Sequence, residues 1–161
     1  MRYVFLYVFT VVLVNFAFDK VPLLTLPGGE LWSPVALVVG FVFVIRDYAQ
    51  RDIGHYVLPA MFLGGFISWL MASPTVALAS VCAFLTGEFV DWAVYTITGK
   101  PFSQRMLFSS ALSTPLDSIV FLSMIDLFSM PSVIVMTLSK MIGSVIVFYI
   151  ARRREIALAQ I

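Results

Sequence analysis

The sequence predicts an all-α, polytopic membrane protein of six transmembrane helices with both termini in the cytoplasm. Three observations predict it. Of 161 residues, 61% are hydrophobic and 12% charged, against about 25% charged in an ordinary soluble domain. The apolar residues fall into six stretches, each near the roughly 20 residues a helix needs to cross a bilayer. The basic residues gather on what those crossings make one side. A net charge of +1 gives no basic surface for a nucleic acid polymer. The single cysteine, Cys82, cannot form an intramolecular disulfide.

The first stretch, about 2–18, precedes "DKVPLLTLPGGELW", whose prolines and glycines break the run. Its apolar part is longer than a secretory signal's and no clear small-residue cleavage site follows, so it reads as the first crossing. The second, about 33–53, ends in the charged "VIRDYAQRD", and only "GHY" separates it from the third, about 56–72. "SP" at 73–74, "GKP" at 99–101 and "SMP" at 129–131 then delimit the fourth, about 75–98, the fifth, about 105–127, and the sixth, about 131–151. Runs of this length lack the alternation of barrel strands. With no internal repeat or low-complexity tract, residues 1–161 read as a single domain.

Six crossings place the N-terminus, the second and fourth connections and the C-terminus together. That side holds Arg2, Arg46, Arg51, Lys100, Arg105, Arg152, Arg153 and Arg154, whereas the other holds only Lys20. Basic loops stay in the cytoplasm, which sets the orientation.

Charges inside the stretches are the costly residues, at roughly 2.5–3.5 kcal/mol each near mid-bilayer. The acids are Asp47, Glu88, Asp91 and Asp117, and the bases Arg46 and Lys140. Two carboxylates are therefore left without an internal cation. Either they are protonated or they await a ligand rich in hydrogen-bond donors or positive charge.

Helical spacing says where these groups point. Phe84, Glu88, Asp91 and Tyr95 recur at i, i+4, i+7, i+11, a single helix face. Ala79, Ala83 and Gly87 make an adjoining small-residue stripe that lets another helix approach closely. Glu88 and Asp91 read either as a polar clamp for Lys140 and Arg46 or as a ligand site. Trp92, about 100° around the helix from Asp91, reads either as a stacking ring or as packing. Arg46 with Gln50, and Asp47 with Arg51, stand at i, i+4 and can pair. Pro115, two residues before Asp117, is expected to disrupt the fifth helix. Ser109, Ser113, Thr114 and Ser118 are placed to satisfy its carbonyls. Lys140 lies between Ser139 and Gly143, a close-packing pair, and faces either Asp117, Asp91 or a substrate. His55 reads as interfacial.

Four segments carry a family resemblance: "RDYAQRDIG" at 46–54, "GEFVDWAVY" at 87–95, "SSALSTPLDSIVF" at 109–121, and Lys140 followed by apolar residues. In this order and spacing they resemble the vitamin uptake transporter family, whose members include queuosine precursor transporters. Ser110 and Thr114 depart from the Asn and Gln frequent there, and Pro115 is an addition. The resemblance implies a multi-pass protein of a bacterial-type inner membrane that imports 7-cyano- or 7-aminomethyl-7-deazaguanine by alternating access. Arg46, Asp47, Gln50, Phe84, Glu88, Asp91, Trp92, Tyr95, Asp117 and Lys140 are the expected substrate-binding residues.

The chemistry agrees with that implication. A carboxylate can accept the adjacent N1–H and N2–H₂ of a deazaguanine together, and Phe84, Trp92 and Tyr95 offer ring faces for stacking. The partners expected are the small molecule and the lipid bilayer, with no cofactor, metal or nucleic acid. A homodimer is left open. No ATPase subunit is expected, because the bulky first helix lacks the Ala-x-x-x-Ala spacing of energy-coupling-factor substrate-binding subunits, the main alternative. An intramembrane enzyme using the Glu88–Asp91 pair, or a scaffold, are further alternatives. No nucleophile–base pair, zinc spacing or phosphate loop supports catalysis.

Overall fold

The computed structural model describes residues 2–73 and 76–159. Six α-helices carry them: α1 Arg2–Lys20, α2 Ala36–Ile53, α3 Val57–Met71, α4 Ala77–Ile97, α5 Phe102–Met124 and α6 Met130–Ala159. The expected break at 73–74 and the expected start of the fourth helix at 75 fall partly on residues outside those described. Between α1 and α2 the chain makes a small antiparallel hairpin, β1 Leu24–Thr25 with β2 Leu31–Trp32.

The helices form a closed ring in which α1 touches α2, α2 touches α6, and α5, α4 and α3 lead back to α1. Side-chain contacts give their directions. Tyr3 stacks on Tyr48 near the end of α2, so α1 and α2 are antiparallel. Asn15 donates to Ser68 while Tyr7 lies beside Gly64, so α3 runs with α1. The reversal between α2 and α3 falls at Gly54, whose φ of 59° is the region where a glycine is favoured. Gly87 over Asp117 with Tyr95 on Phe102, and Lys140 on Asp117 with Glu155 on Ser103, make α4, α5 and α6 alternate likewise.

Among the described residues, four helical stretches are long and apolar enough to cross a membrane: Ala36–Met71, which includes the turn at Gly54, Ala77–Ile97, Phe102–Met124 and Met130–Ala159. Arg2–Phe18 is apolar but shorter. The distribution of polarity is inverted relative to a soluble protein. Phe5, Leu70, Leu138 and Tyr149 are exposed on the outside, whereas Arg46, Asp47, Glu88, Asp91 and Lys140 are buried inside. An outer surface this apolar belongs in lipid.

α6 is longer than expected, and α5 is shifted toward the N-terminus, Phe102–Met124 rather than about 105–127. α6 runs to Ala159 rather than ending near 151, because Glu155 bonds the backbone N–H (3.0 Å) and hydroxyl (2.6 Å) of Ser103 at the start of α5. That contact also starts α5 at Phe102, earlier than expected. Pro115 lies inside an unbroken α5. Thr114 and Ser118 donate to the carbonyls of Ser110 and Thr114, both at 2.8 Å, so hydroxyls reinforce the turns around the proline.

α2 and α6 cross backbone to backbone. A Cβ on Gly40 would lie 1.8 Å from the Lys140 carbonyl oxygen, and one on Gly143 would lie 3.0 Å from the Gly40 carbonyl carbon. Gly40→Ala should therefore cost more than the ~1–3 kcal/mol of ordinary overpacking, since backbone cannot yield as a side chain can. Gly99→Ala, with open space around the added methyl, should leave stability unchanged. Thermal unfolding and size-exclusion profiles in detergent check the pair; equal behaviour of the two variants would contradict the crossing.

Candidate functional site

The interior of the ring is organised around one guanidinium. Arg46 projects from α2 and is fully buried. Its Nη2 donates to Asp91 Oδ2 of α4 and its Nη1 to Gln50 Oε1 one turn along α2. Asp47 Oδ1 lies 3.1 Å from Nη1, and Glu88 Oε2 lies 3.5 Å from Nε. One cation thus faces three carboxylates. Donors from three helices complete the shell: the Tyr7 hydroxyl of α1 donates to Glu88 Oε2 (3.0 Å), the Ser109 hydroxyl of α5 to Asp47 Oδ2 (3.3 Å), and the Gln50 amide to Thr96 of α4 (2.9 Å).

Acceptors outnumber donors in this cluster. Glu88 Oε1 and Asp91 Oδ1 are buried oxygens with no hydrogen-bond donor among the described residues, Asp47 Oδ1 has only its ion-pair contact with Arg46, and Arg46 Nε lacks an acceptor at hydrogen-bond geometry. Buried acceptors left so are costly, by about 1–3 kcal/mol each and more when charged, unless water, an ion or a ligand supplies the donor.

A second, balanced pair adjoins the first. Lys140 Nζ of α6 donates to Asp117 Oδ2 and, at 3.0 Å, to Ser118, both on α5. Gly87 permits this nearness, because a Cβ there would lie 2.9 Å from Asp117 Cβ and 3.2 Å from the Phe43 ring. The expected small stripe of Ala79, Ala83 and Gly87 is buried throughout. On the side of the hairpin, the Trp32 indole donates to Ser139 at 2.8 Å, next to Lys140 in sequence.

Most residues singled out from sequence come together. Glu88, Asp91 and Tyr95 share the buried face of α4. Phe84 borders it, since its ring and the Tyr7 hydroxyl lie within 3.4 Å of the point where a Gly64 Cβ would stand. Arg46 pairs with Gln50 as the spacing indicated. Asp47 bonds Arg46 and Ser109 rather than Arg51, because Arg51 lies farther out, over the Phe102 ring at 4.8 Å. Trp92 lies apart from the carboxylates: its indole donates to exposed His55 at 3.2 Å. Tyr7, Ser109 and Thr96 are the members not foreseen. Tyr7 hides in an apolar run and gives no charge signal; the need of Glu88 for a donor is what points to it.

The basic residues gather at one end, with Arg2 over Tyr3, Arg105 over Tyr95 and Arg152 over Phe148. Arg46 is not part of that surface. There Tyr95, Phe102, Tyr48 and Tyr3 form a chain of rings with centroids 6.2, 4.7 and 5.2 Å apart.

An apolar exterior enclosing ionisable side chains on several helices defines a multi-pass membrane protein with a polar interior. Residues 3–153 match the family model described as "Putative vitamin uptake transporter", and the chain belongs to that family. It is a transporter family, and its members act on small molecules at a lipid bilayer. No curated protein and no solved structure matches the chain.

The Lys140–Asp117 pair yields a sharp stability test. Lys140→Met strands the Asp117 carboxylate in the bundle and should cost about 3–5 kcal/mol, whereas Lys140→Met with Asp117→Leu should recover most of it. Chemical unfolding midpoints in detergent read both; a double variant as unstable as the single one would show that the pair holds α5 to α6 by more than charge balance.

Proposed function

We propose that the chain imports a queuosine precursor of the 7-deazaguanine type, by alternating access across a bacterial-type inner membrane it crosses six times. The basic end, with both termini, faces the cytoplasm in this reading. The observation that carries the substrate class is the pair of donor-free carboxylate oxygens beside Arg46, Glu88 Oε1 and Asp91 Oδ1. A deazaguanine supplies N1–H and N2–H₂ donors on one edge, and Glu88 or Asp91 accepts both together. An aminomethyl group adds a cation where one guanidinium faces three carboxylates. Arg46, Gln50 and Lys140 serve the opposite edge, Asp47 and Asp117 hold the two bases Arg46 and Lys140 in place, and Phe84 and Tyr95 bound the ring faces. Trp92 belongs to the rim of the pathway.

Both routes to the site are covered, which supports an occluded arrangement. The chain of rings from Tyr95 to Tyr3 covers the basic end, and the hairpin held by Trp32 on Ser139 covers the other. Transport then requires each cover to part in turn, with no covalent step.

The test is saturable binding of 7-cyano- and 7-aminomethyl-7-deazaguanine to detergent-purified protein, with guanine as control, for wild type and Glu88→Gln. The expected result is binding of a deazaguanine that falls at least tenfold in the variant, since one lost charge-assisted bond is worth about 1.5–3 kcal/mol. Retained binding in Glu88→Gln would move the contact to Asp91 or Asp47. Absence of binding to monodisperse wild-type protein would reject this substrate class.

A further inference from the structure

The basic end contains a cavity of about 580 Å³ between the start of α5 and the end of α6. Arg51, Lys100, Arg105 and Arg152 line it, against a single acid, Glu155. Glu155, whose two oxygens accept the N–H and hydroxyl of Ser103, offsets one of these four charges and leaves the lining strongly basic. Three of the cations lie on ring faces instead of carboxylates: Arg51 on Phe102 (4.8 Å), Arg105 on Tyr95 (5.3 Å) and Arg152 on Phe148 (5.6 Å). A guanidinium stacked on a ring keeps its N–H edge free to meet a phosphate oxygen in plane.

The surroundings select the source of that phosphate. Ile156 and Ala159 form part of the cavity wall. Ile97, Ile156 and Leu158 are exposed at the same end of the bundle, at 80%, 50% and 74%. Exposed aliphatic side chains beside four cations suit a ligand with both an anionic head and hydrocarbon tails. We infer that this cavity seats the headgroup of an anionic phospholipid. Basic pockets between membrane helices have this chemistry, and a soluble phosphate would gain nothing from the aliphatic rim. The bound lipid would join α2, α5 and α6 at the level of Tyr95, one turn from Asp91. The site is distinct from the carboxylate cluster, and its chemistry is the same whatever cargo that cluster carries.

A control within the chain separates a seat from diffuse charge. Arg153 and Arg154 belong to the same helix end but do not line the cavity. Delipidated, detergent-purified protein is titrated with short-chain phosphatidylglycerol, phosphatidylcholine and inorganic phosphate, with thermal unfolding and native mass spectrometry as readouts. Phosphatidylglycerol should stabilise saturably and remain bound as one molecule, while phosphatidylcholine and phosphate should not. Each cation near a lipid phosphate is worth about a factor of five. Arg105→Gln with Arg152→Gln should therefore weaken the lipid at least tenfold, and Arg153→Gln with Arg154→Gln should change it less than about twofold. If the first double variant does not fold, Lys100→Gln should show a loss of about fivefold alone. Equal losses in the two double variants would overturn the seat in favour of general surface charge. Equal binding of phosphatidylcholine would reduce it to ordinary lipid contact, and equal binding of phosphate would reject the lipid as ligand.

Discussion

Arg46 brings a full positive charge into an interior enclosed by helices and, outside them, by lipid-facing side chains. Such a charge persists only where carboxylates and fixed dipoles replace water. Asp47, Glu88, Asp91 and Gln50 do so here, and Tyr7, Ser109 and Thr96 hold those groups in turn. Side chains from α1, α2, α4 and α5 thus meet around one guanidinium. A buried ion cluster is weak evidence for stability, because desolvation can exceed the Coulombic gain. Its meaning here lies in specificity: it selects one mutual arrangement of four helices and leaves acceptor capacity unfilled at their centre.

The remaining packing serves that centre. Small residues stand wherever two helices must come close, as Gly87 does above Asp117 and Gly64 does against the Phe84 ring. The apolar core proper is offset to one side, where Tyr7, Val11, Val42, Val57 and Met61 join α1, α2 and α3. On the α5–α6 side, two smaller apolar clusters, Leu122 with Val133 and Met136 and Val44 with Met106 and Phe148, accompany the hydroxyls and the Lys140–Asp117 pair.

The fold was legible in the sequence where a single periodicity governed it. Runs of apolar residues marked the helices, and the i, i+4, i+7, i+11 spacing from Phe84 to Tyr95 identified the polar face of α4. Charge counting found two surplus carboxylates, and the structure gathers the excess around Arg46 rather than spreading it. What was not legible depended on contacts between distant segments. The extension of α6 rests on Glu155 meeting Ser103, 52 residues away. Asp47 had two partners in reach of helical geometry, and only the neighbouring α5 decides for Ser109. Pro115 reads as a break because a proline removes a donor, but hydroxyls and packing on both sides keep the helix whole. Tyr7 carries no mark of its role, since a tyrosine in an apolar run is ordinary.

The bare crossing of α2 and α6 at Gly40 and Gly143 has a mechanical consequence. With no side chain between them, the two backbones touch directly, and the seam continues along both helices to where Val44 of α2 packs with Phe148 of α6. Arg46 lies six residues from Gly40, a lever arm of about 9 Å, and Arg51 lies eleven residues away, about 16 Å. A tilt of about 10° about that point moves the first by about 1.5 Å and the second by about 3 Å. The smaller displacement is enough to exchange hydrogen-bond partners, and the larger to slide Arg51 across the ring beneath it. Because α2 and α6 pack along their length, such a tilt carries the two helices as one body, and Lys140 moves with Arg46.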